Sequence, residues 1–396
     1  MSHRVDYAVV GGGPAGLAVA ILAALAGRRA VVIDRKHGPV DKACGEGLMP
    51  PGVVWLRRMG VEIPAQDARP FRGIRYVDGD ATAEASFVEG PGLGIRRTVL
   101  SSAMEARAAA LGVELRHDCE AGAVADRADH VVLHTTHGEL EARWLVGADG
   151  LHSHVRKACG FAVTTGRRRR FGIRRHFRVA PWSDVVEVHW ADGVEAYVTP
   201  VGPDRVGVAF LWSAARGSRP SYDAFLARFP ALRARLGPAA GCPETTVRGA
   251  GPFDVRVKPI ARGRVLLVGD ASGYLDAITG EGLSLAFASA AALVEATTGE
   301  DASAYPRACA RVRRRHLALT RLVLWVAEHP GLRRQVIRAL ARSPDAFRAF
   351  LALNTGARGW AGALPALGRL GWRLMTTLAA DLPAARRRTR GPLLHR

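Results

Sequence analysis

The chain has 396 residues, 48% hydrophobic and 23% charged, with a mean hydropathy of +0.03. That composition excludes a disordered tail, a collagen-like fibre and a disulfide-stapled miniprotein, and the length suffices to bury a core without metal or disulfide staples. Lys+Arg outnumber Asp+Glu by 56 to 36, a net charge of +20, yet the chain carries no nucleic-acid-binding module or interleaved aromatic platform, so no nucleic-acid partner is expected.

The charge is unevenly placed. Only Lys36, Lys42, Lys157 and Lys258 are lysines, and residues 301–396 hold 19 arginines against four acids. This points the last quarter toward an anionic surface. Five scattered cysteines (44, 119, 159, 242 and 309) form no CxxC pair, which suggests a reducing, cytoplasmic setting and no metal site. Residues 7–27 are uncharged and mostly apolar, but the glycines near their start suit strand, turn and helix better than one membrane span.

The chain opens with a buried strand at Val5–Val10, the run Gly11-Gly12-Gly13-Pro14-Ala15-Gly16, and an apolar helix from Leu17. A second strand, Ala30–Ile33, ends in Asp34. This is the GxGxxG fingerprint in its required context. Gly11 makes the tight turn, Gly13 lets backbone approach a pyrophosphate, and Gly16 permits close helix–strand packing. The helix start offers free N–H groups to phosphates, and Asp34 can accept from ribose hydroxyls. Two further strand–glycine turns follow, Val146-Gly147-Ala148-Asp149-Gly150 and Gly269-Asp270-Ala271-Ser272-Gly273, the latter running into Thr279-Gly280-Glu281-Gly282 and a helix.

With these three segments, and Arg97-Thr98-Val99-Leu100 followed by Met104, Ala108 and Gly112, the sequence resembles the flavoprotein monooxygenases of the para-hydroxybenzoate hydroxylase type and their relatives the geranylgeranyl reductases. The resemblance covers residues 4 to about 300. It implies an α/β fold: a Rossmann-like FAD-binding domain (1–165 with 245–300) with an inserted antiparallel substrate sheet (70–100 and 166–245); beyond it the residues themselves read as a C-terminal helical region (301–385) and a disordered basic tail (386–396). It implies FAD as cofactor and NAD(P)H as reductant. Gly11, Gly13 and Gly16, with Pro14 and Ala15, are placed at the pyrophosphate, and Asp34 with Arg35 at the ribose. Arg97, Asp149, Gly269 and Asp270 fall on the FAD side, and Gly280, Glu281 and Gly282 at the helix start facing the isoalloxazine. Lys42-Ala43-Cys44-Gly45-Glu46-Gly47 and the Gly280-Glu281-Gly282 run look like the reductase branch, which puts Cys44 and Gly45 beside the flavin and makes Cys44 a candidate catalytic residue.

Strands are expected at Arg174–Val179, Val185–Trp190, Glu195–Val201 and Arg205–Trp212. In the resembled family such strands cover the flavin, so His189, Tyr197, Phe210 and Trp212 are candidates to line a pocket for a hydrophobic ring or acyl chain. The alternative is that they fill a helix-packed face. Arg167–Arg170 is expected to be an exposed loop. Leu317, Leu319, Leu322, Val323 and Val326, then Val336, Ile337 and Leu340, then Phe347, Phe350 and Leu351 fit apolar helix stripes. Arg333, Arg334, Arg338, Arg342 and Arg348 occupy polar positions between them. Trp325, Trp360 and Trp372 fit either a helical cap or a peripheral contact with an anionic membrane.

The resemblance implies hydroxylation of a hydrophobic phenolic or polyketide substrate through a C4a-hydroperoxyflavin. The alternative is reduction of prenyl-lipid double bonds. A flavin halogenase is expected to carry Trp-x-Trp-x-Ile-Pro, and Ala196–Pro200 lacks both tryptophans.

Overall fold

The computed structural model describes residues 4–39, 41–166, 169–214, 220–366 and 368–371. The basic tail, Trp372, Arg167 and Arg168 lie outside the described residues.

Five parallel strands form the spine, in the order Val265–Leu267, Gly138–Gly147, Val5–Val10, Ala30–Ile33 and Glu114–Arg116. Val5–Val10, Ala30–Ile33, Val265–Leu267 and the end of Gly138–Gly147 are mostly apolar and buried because helices cover the sheet. Val5–Val10 is central, with Gly138–Gly147 on one side and Ala30–Ile33 on the other. The chain therefore diverges at its carboxyl end, where open α/β sheets bind ligands. Pro14–Leu25 and Gly282–Ala296 pack side by side over this sheet through Leu17, Ala20, Phe287 and Leu293, all fully buried.

A second sheet of seven strands covers the carboxyl end. Its order is Arg248–Ala250, Arg170–Arg178, Arg205–Ser213, Val194–Gly202, Val186–Ala191, Gly73–Asp78 and Ala81–Ser86. Pairing is antiparallel except between Val186–Ala191 and Gly73–Asp78, which run parallel because an earlier segment of the chain enters there. The strand period of two gives this sheet two faces. The outer face carries Val194, Ala196, Val198, Val208, Phe210 and Trp212, closed by the short helices Tyr222–Leu226 and Pro230–Leu236. The inner face turns toward the nucleotide sheet in its middle and toward the C-terminal helices at its far edge.

Those helices are Ala304–Ala327, Pro330–Ala341 and Pro344–Thr355. Leu319, Leu324, Ile337, Leu340 and Phe347 pack on Ile74, Ala83, Val188 and Trp190 of the sheet. Two sequence expectations are corrected here. Leu322 is 49% exposed, while the buried line of its helix runs through His316, Leu319, Thr320 and Leu324. Arg333 is buried rather than solvated, because Asp78, at the end of its strand, accepts from its Nε at 2.8 Å. Arg338 pairs with Asp80 at 2.9 Å across the same turn. Among the described residues no helix is long and apolar enough to cross a membrane.

Candidate active site

The glycine turn is dictated by space. Gly11 has φ +111°, and a Cβ there would lie 2.6 Å from the Ala148 carbonyl oxygen. A Cβ on Gly16 would collide with the Gly11 carbonyl. Both positions therefore require glycine. Gly11 N–H donates to Ile33 O at 2.8 Å and Ala148 N–H to Val10 O at 2.8 Å, so three strand ends are tied at one point. Gly13 is extended and open: the group nearest a Cβ there is the Arg97 guanidinium, 3.9 Å away. The helix it begins has no side-chain cap and no acid in its first turn, leaving N–H groups and the positive dipole end for an anion.

Asp34 accepts from Gly12 N–H at 2.8 Å and from Lys36 N–H at 2.9 Å. It braces the turn while keeping lone pairs for a ligand. Arg35 is exposed just beyond it. Asp149 does more structural work than the resemblance implies. Its Oδ2 accepts from His154 and Val155 N–H at 2.6 and 3.1 Å, holding the start of the helix His154–Ala158, while its Oδ1 is buried without a partner. Buried Arg156 then ties this turn to the next, donating to Leu151 O at 2.8 Å and Ala271 O at 3.1 Å.

Gly269 and Gly280 have φ of +61° and +71°. Asp270 between them is half-buried; its carbonyl accepts from Gly273 N–H, while its side chain makes no hydrogen bond or ion pair with a described residue. Arg313 from the long C-terminal helix holds the loop from behind, donating to Gly269 O and Ser272 O at 3.2 Å and to Ser272 Oγ at 2.6 Å. Glu281 is the N-cap of Gly282–Ala296, again without a side-chain cap or first-turn acid. Two uncapped helix starts, the Arg97 guanidinium over Gly13 with its Nε unpartnered, and the unpaired Asp270 are the donors and acceptors that a pyrophosphate with its flanking sugar hydroxyls needs. The residues fit FAD.

Cys44 is half-buried in the loop between the second strand and Gly47–Leu48, and its Sγ accepts from Glu46 N–H at 3.3 Å. Burial pushes the thiol up, so it stays protonated. Gly45 is exposed and its carbonyl accepts from Thr199 Oγ at 2.8 Å.

The four pocket candidates separate by strand parity. Phe210 and Trp212 are on the outer face, stacked on Phe225 and neighbouring rings under the short helices. His189 is also outer, because it pairs with Ala196 in register; its Nε2 meets Glu187 at 2.9 Å. Tyr197 alone faces inward, donating to Ile278 O at 3.1 Å, two residues before Gly280. The geometry thus turns three of the four expected pocket residues away from the cofactor end.

The inner face carries residues the sequence reading missed. Arg170, expected in an exposed loop, is buried in a strand, donating to Glu195 and Asp276 at 2.8 Å each. It is withdrawn from solvent because this ion triad clamps the sheet to the segment leading into the Gly280 turn. Nearby, His176 is fully buried with Nδ1 3.3 Å from Arg174 Nη1 and 3.0 Å from Thr245 Oγ, and its Nε2 bonds Glu46. Arginine can only donate, so Nδ1 accepts and Nε2 carries the hydrogen toward Glu46. Glu46, held at φ +58°, also accepts from Arg97 N–H at 2.9 Å. The only signal for these residues was Arg170, Arg174 and His176 at even spacing along one strand.

The comparisons agree with this geometry. The profile of the FAD binding domain family matches residues 4–299. The menaquinone reductase of Mycolicibacterium smegmatis is 28% identical over 345 residues, covering 80% of this chain and 82% of its own. The 12-dehydrotetracycline 5-monooxygenase/anhydrotetracycline 6-monooxygenase of Streptomyces rimosus is 29% identical over 320 residues, covering 72% and 60%. The flavin-dependent brominase Bmp2 superposes with a TM-score of 0.77 at 18% identity, covering 89% and 94%, which is likeness of fold. The chain belongs to the FAD binding domain family and is an FAD-dependent oxidoreductase.

Proposed function

We propose that the protein is an NAD(P)H-dependent monooxygenase that hydroxylates a hydrophobic, ring-bearing substrate of phenolic or polyketide type. One observation carries the reading. Against the inner face lies an aromatic and aliphatic layer that runs from Met49, Ile278 and Tyr197, beside the Gly280 turn, to Tyr76 and Trp190, which meet Phe347 of the C-terminal helices. The charges beside it are paired: Arg170 with Glu195 and Asp276, and Arg333, over the Trp190 ring, with Asp78. Such a layer favours a flat apolar molecule and keeps water out. When bound, FAD supplies the redox chemistry. The chain's own contribution is to orient: Tyr197 and the ion triad fix the Gly280 turn against the sheet, and the likeness to the tetracycline monooxygenase supports hydroxylation.

Reduction of a prenyl-lipid double bond is the second reading. It is favoured by the protonated Cys44 and by the likeness to menaquinone reductase over about four-fifths of each chain. Exposed Leu322 and Trp325 beside Arg321 would give such an enzyme a place to meet lipid. One experiment separates the two. Extracts of cells with and without the enzyme, grown under heavy-isotope oxygen, are compared by mass. A product carrying one heavy oxygen is expected; an unlabelled product heavier by two hydrogens overturns hydroxylation in favour of reduction.

A further inference from the structure

Both chemistries consume a proton inside a site built to exclude water. Hydroxylation converts R–H, O2, NAD(P)H and H+ into R–OH, H2O and NAD(P)+. Alkene reduction adds the hydride of NAD(P)H to one carbon and a proton to the other. The chain must hold a transferable proton near the flavin-facing turn, and the buried groups there can be taken in turn.

Tyr197 has its hydroxyl hydrogen on Ile278 O, and burial pushes its ionisation well above the ordinary tyrosine range. His316 lies 3.5 and 3.3 Å from Thr279 and Thr320 hydroxyls; burial, then Arg313 and Arg315, push it down to about 4, so it holds no acidic proton at neutral pH. Glu46 is taken up by Arg97 N–H, His176 and Arg174.

Glu281 differs from all of these. It stands between Gly280 and Gly282 at the start of the flavin-facing helix, 5% exposed, and its Oε1 has no hydrogen-bond partner. Ser284 Oγ, one turn along, is likewise buried, and its polar neighbour is this carboxyl, whose charged form it favours. From the helix Pro50–Met59 and its approach, Met49 and Gly52 lie against this turn, neither of them ionisable. Glu89 and Arg315, of opposite sign, are the charged side chains that act on it. A carboxyl so enclosed keeps its proton: burial outweighs the Ser284 hydroxyl and pushes Glu281 up to about 8, poised for exchange near neutrality.

We infer that Glu281 is the group that holds and delivers the proton consumed by the flavin chemistry. The inference rests on the FAD oxidoreductase reading but not on the choice between hydroxylation and reduction. In each case Glu281 gives up its proton once per turnover and regains it from solvent.

The test needs no substrate. Holoprotein is reduced with dithionite, and its reoxidation by O2 is followed by flavin absorbance from about pH 6 to about pH 10. Reduced flavin anion, O2 and one proton give oxidised flavin and H2O2. The wild-type rate and the oxidised flavin spectrum should both break close to pH 8. In Glu281→Gln the breaks should vanish and the rate at pH 7 should fall about a hundredfold, the lower end of the range for loss of a general acid. Glu281→Asp should keep a break, shifted. Flavin stoichiometry and circular dichroism report folding of each variant. The same pH profile in the Gln variant, or no break in the wild type, overturns the inference. Failure of the protein to bind FAD at all would instead overturn the cofactor reading beneath it.

Discussion

The two faces of the seven-stranded cover sheet are built on different physics. Along Val194–Gly202, Val194, Ala196 and Val198 point outward into an apolar core with Phe210, Phe225 and Leu232. Glu195, Tyr197 and Thr199 of the same strand point inward and are each satisfied by a polar partner on the cofactor side: Arg170, Ile278 O and Gly45 O. Under its short helices the outer face is held mainly by burial of area, which is strong and indifferent to orientation. The inner face is held by directional bonds to the segments that build the cofactor site. Polar burial contributes little net stability, but it fixes where one layer sits against another. Damage to the outer face should therefore cost stability and spare the flavin environment, whereas damage to the inner face should cost both.

The largest effect is expected at the triad. Arg170→Met leaves Glu195 and Asp276 facing each other without their cation, both pushed up by burial. Loss of one member of a buried ion cluster costs roughly 3–5 kcal/mol. Because Asp276 also accepts from Ile278 N–H at 3.0 Å, the Gly280 turn should loosen and FAD affinity fall about tenfold, ~1.4 kcal/mol. Denaturant unfolding and flavin titration check the two parts. Replacing all three members with apolar residues should restore most of the stability but not the affinity. Recovery of both would mean that the triad does not position the turn.

Phe210→Ala probes the opposite face. A fully buried phenylalanine packed on Tyr222, Phe225 and Phe229 costs about 3–4 kcal/mol when truncated. The folded fraction should retain its flavin with an unchanged absorption spectrum. A spectral shift as large as that of Arg170→Met would erase the distinction between the faces.

This division also explains what could be read in advance. Gly11, Gly16 and Asp34 were legible because their constraints are local: a turn, a close helix crossing and a strand end lie within 24 residues of one another. The cover strands were legible from their alternation, to within a few residues. Alternation yields two faces but does not say which one meets the cofactor. Phe210 and Trp212 drew the pocket expectation because aromatic residues look like pocket lining, and the fully apolar face instead belongs under its own helices. Arg170 and Arg333 were read as solvated because a charge buried between two layers has the same sequence signature as one facing water. Their carboxylate partners are 25 residues away or more, beyond the reach of local pattern.

The smallest effect is expected at an ionic cluster on the outer face, where the difference between faces can be sharpened by pH. Glu187 accepts from Arg75, Arg235, His189 and Trp182 at 2.7–3.3 Å. Burial alone would push its carboxyl up, but the bonds and charge of His189, the Trp182 N–H and the charge of Arg235 outweigh it and hold Glu187 down at about 2. A depressed carboxyl contributes stability that is present above its unfolded value of 4.5 and lost as pH falls through about 2. With the cluster at the protein's edge, that contribution is on the order of 1–2 kcal/mol. His189→Gln keeps a hydrogen bond and removes the charge. It should leave unfolding at pH 8 almost unchanged, by less than about 0.5 kcal/mol, while moving the acid-unfolding midpoint upward. Flavin absorbance should follow the global unfolding curve at every pH, since nothing on this face touches the cofactor segments. An acid midpoint identical to the wild type would show that the arginines alone hold Glu187. Flavin release ahead of unfolding would mean that the outer face reaches the site after all.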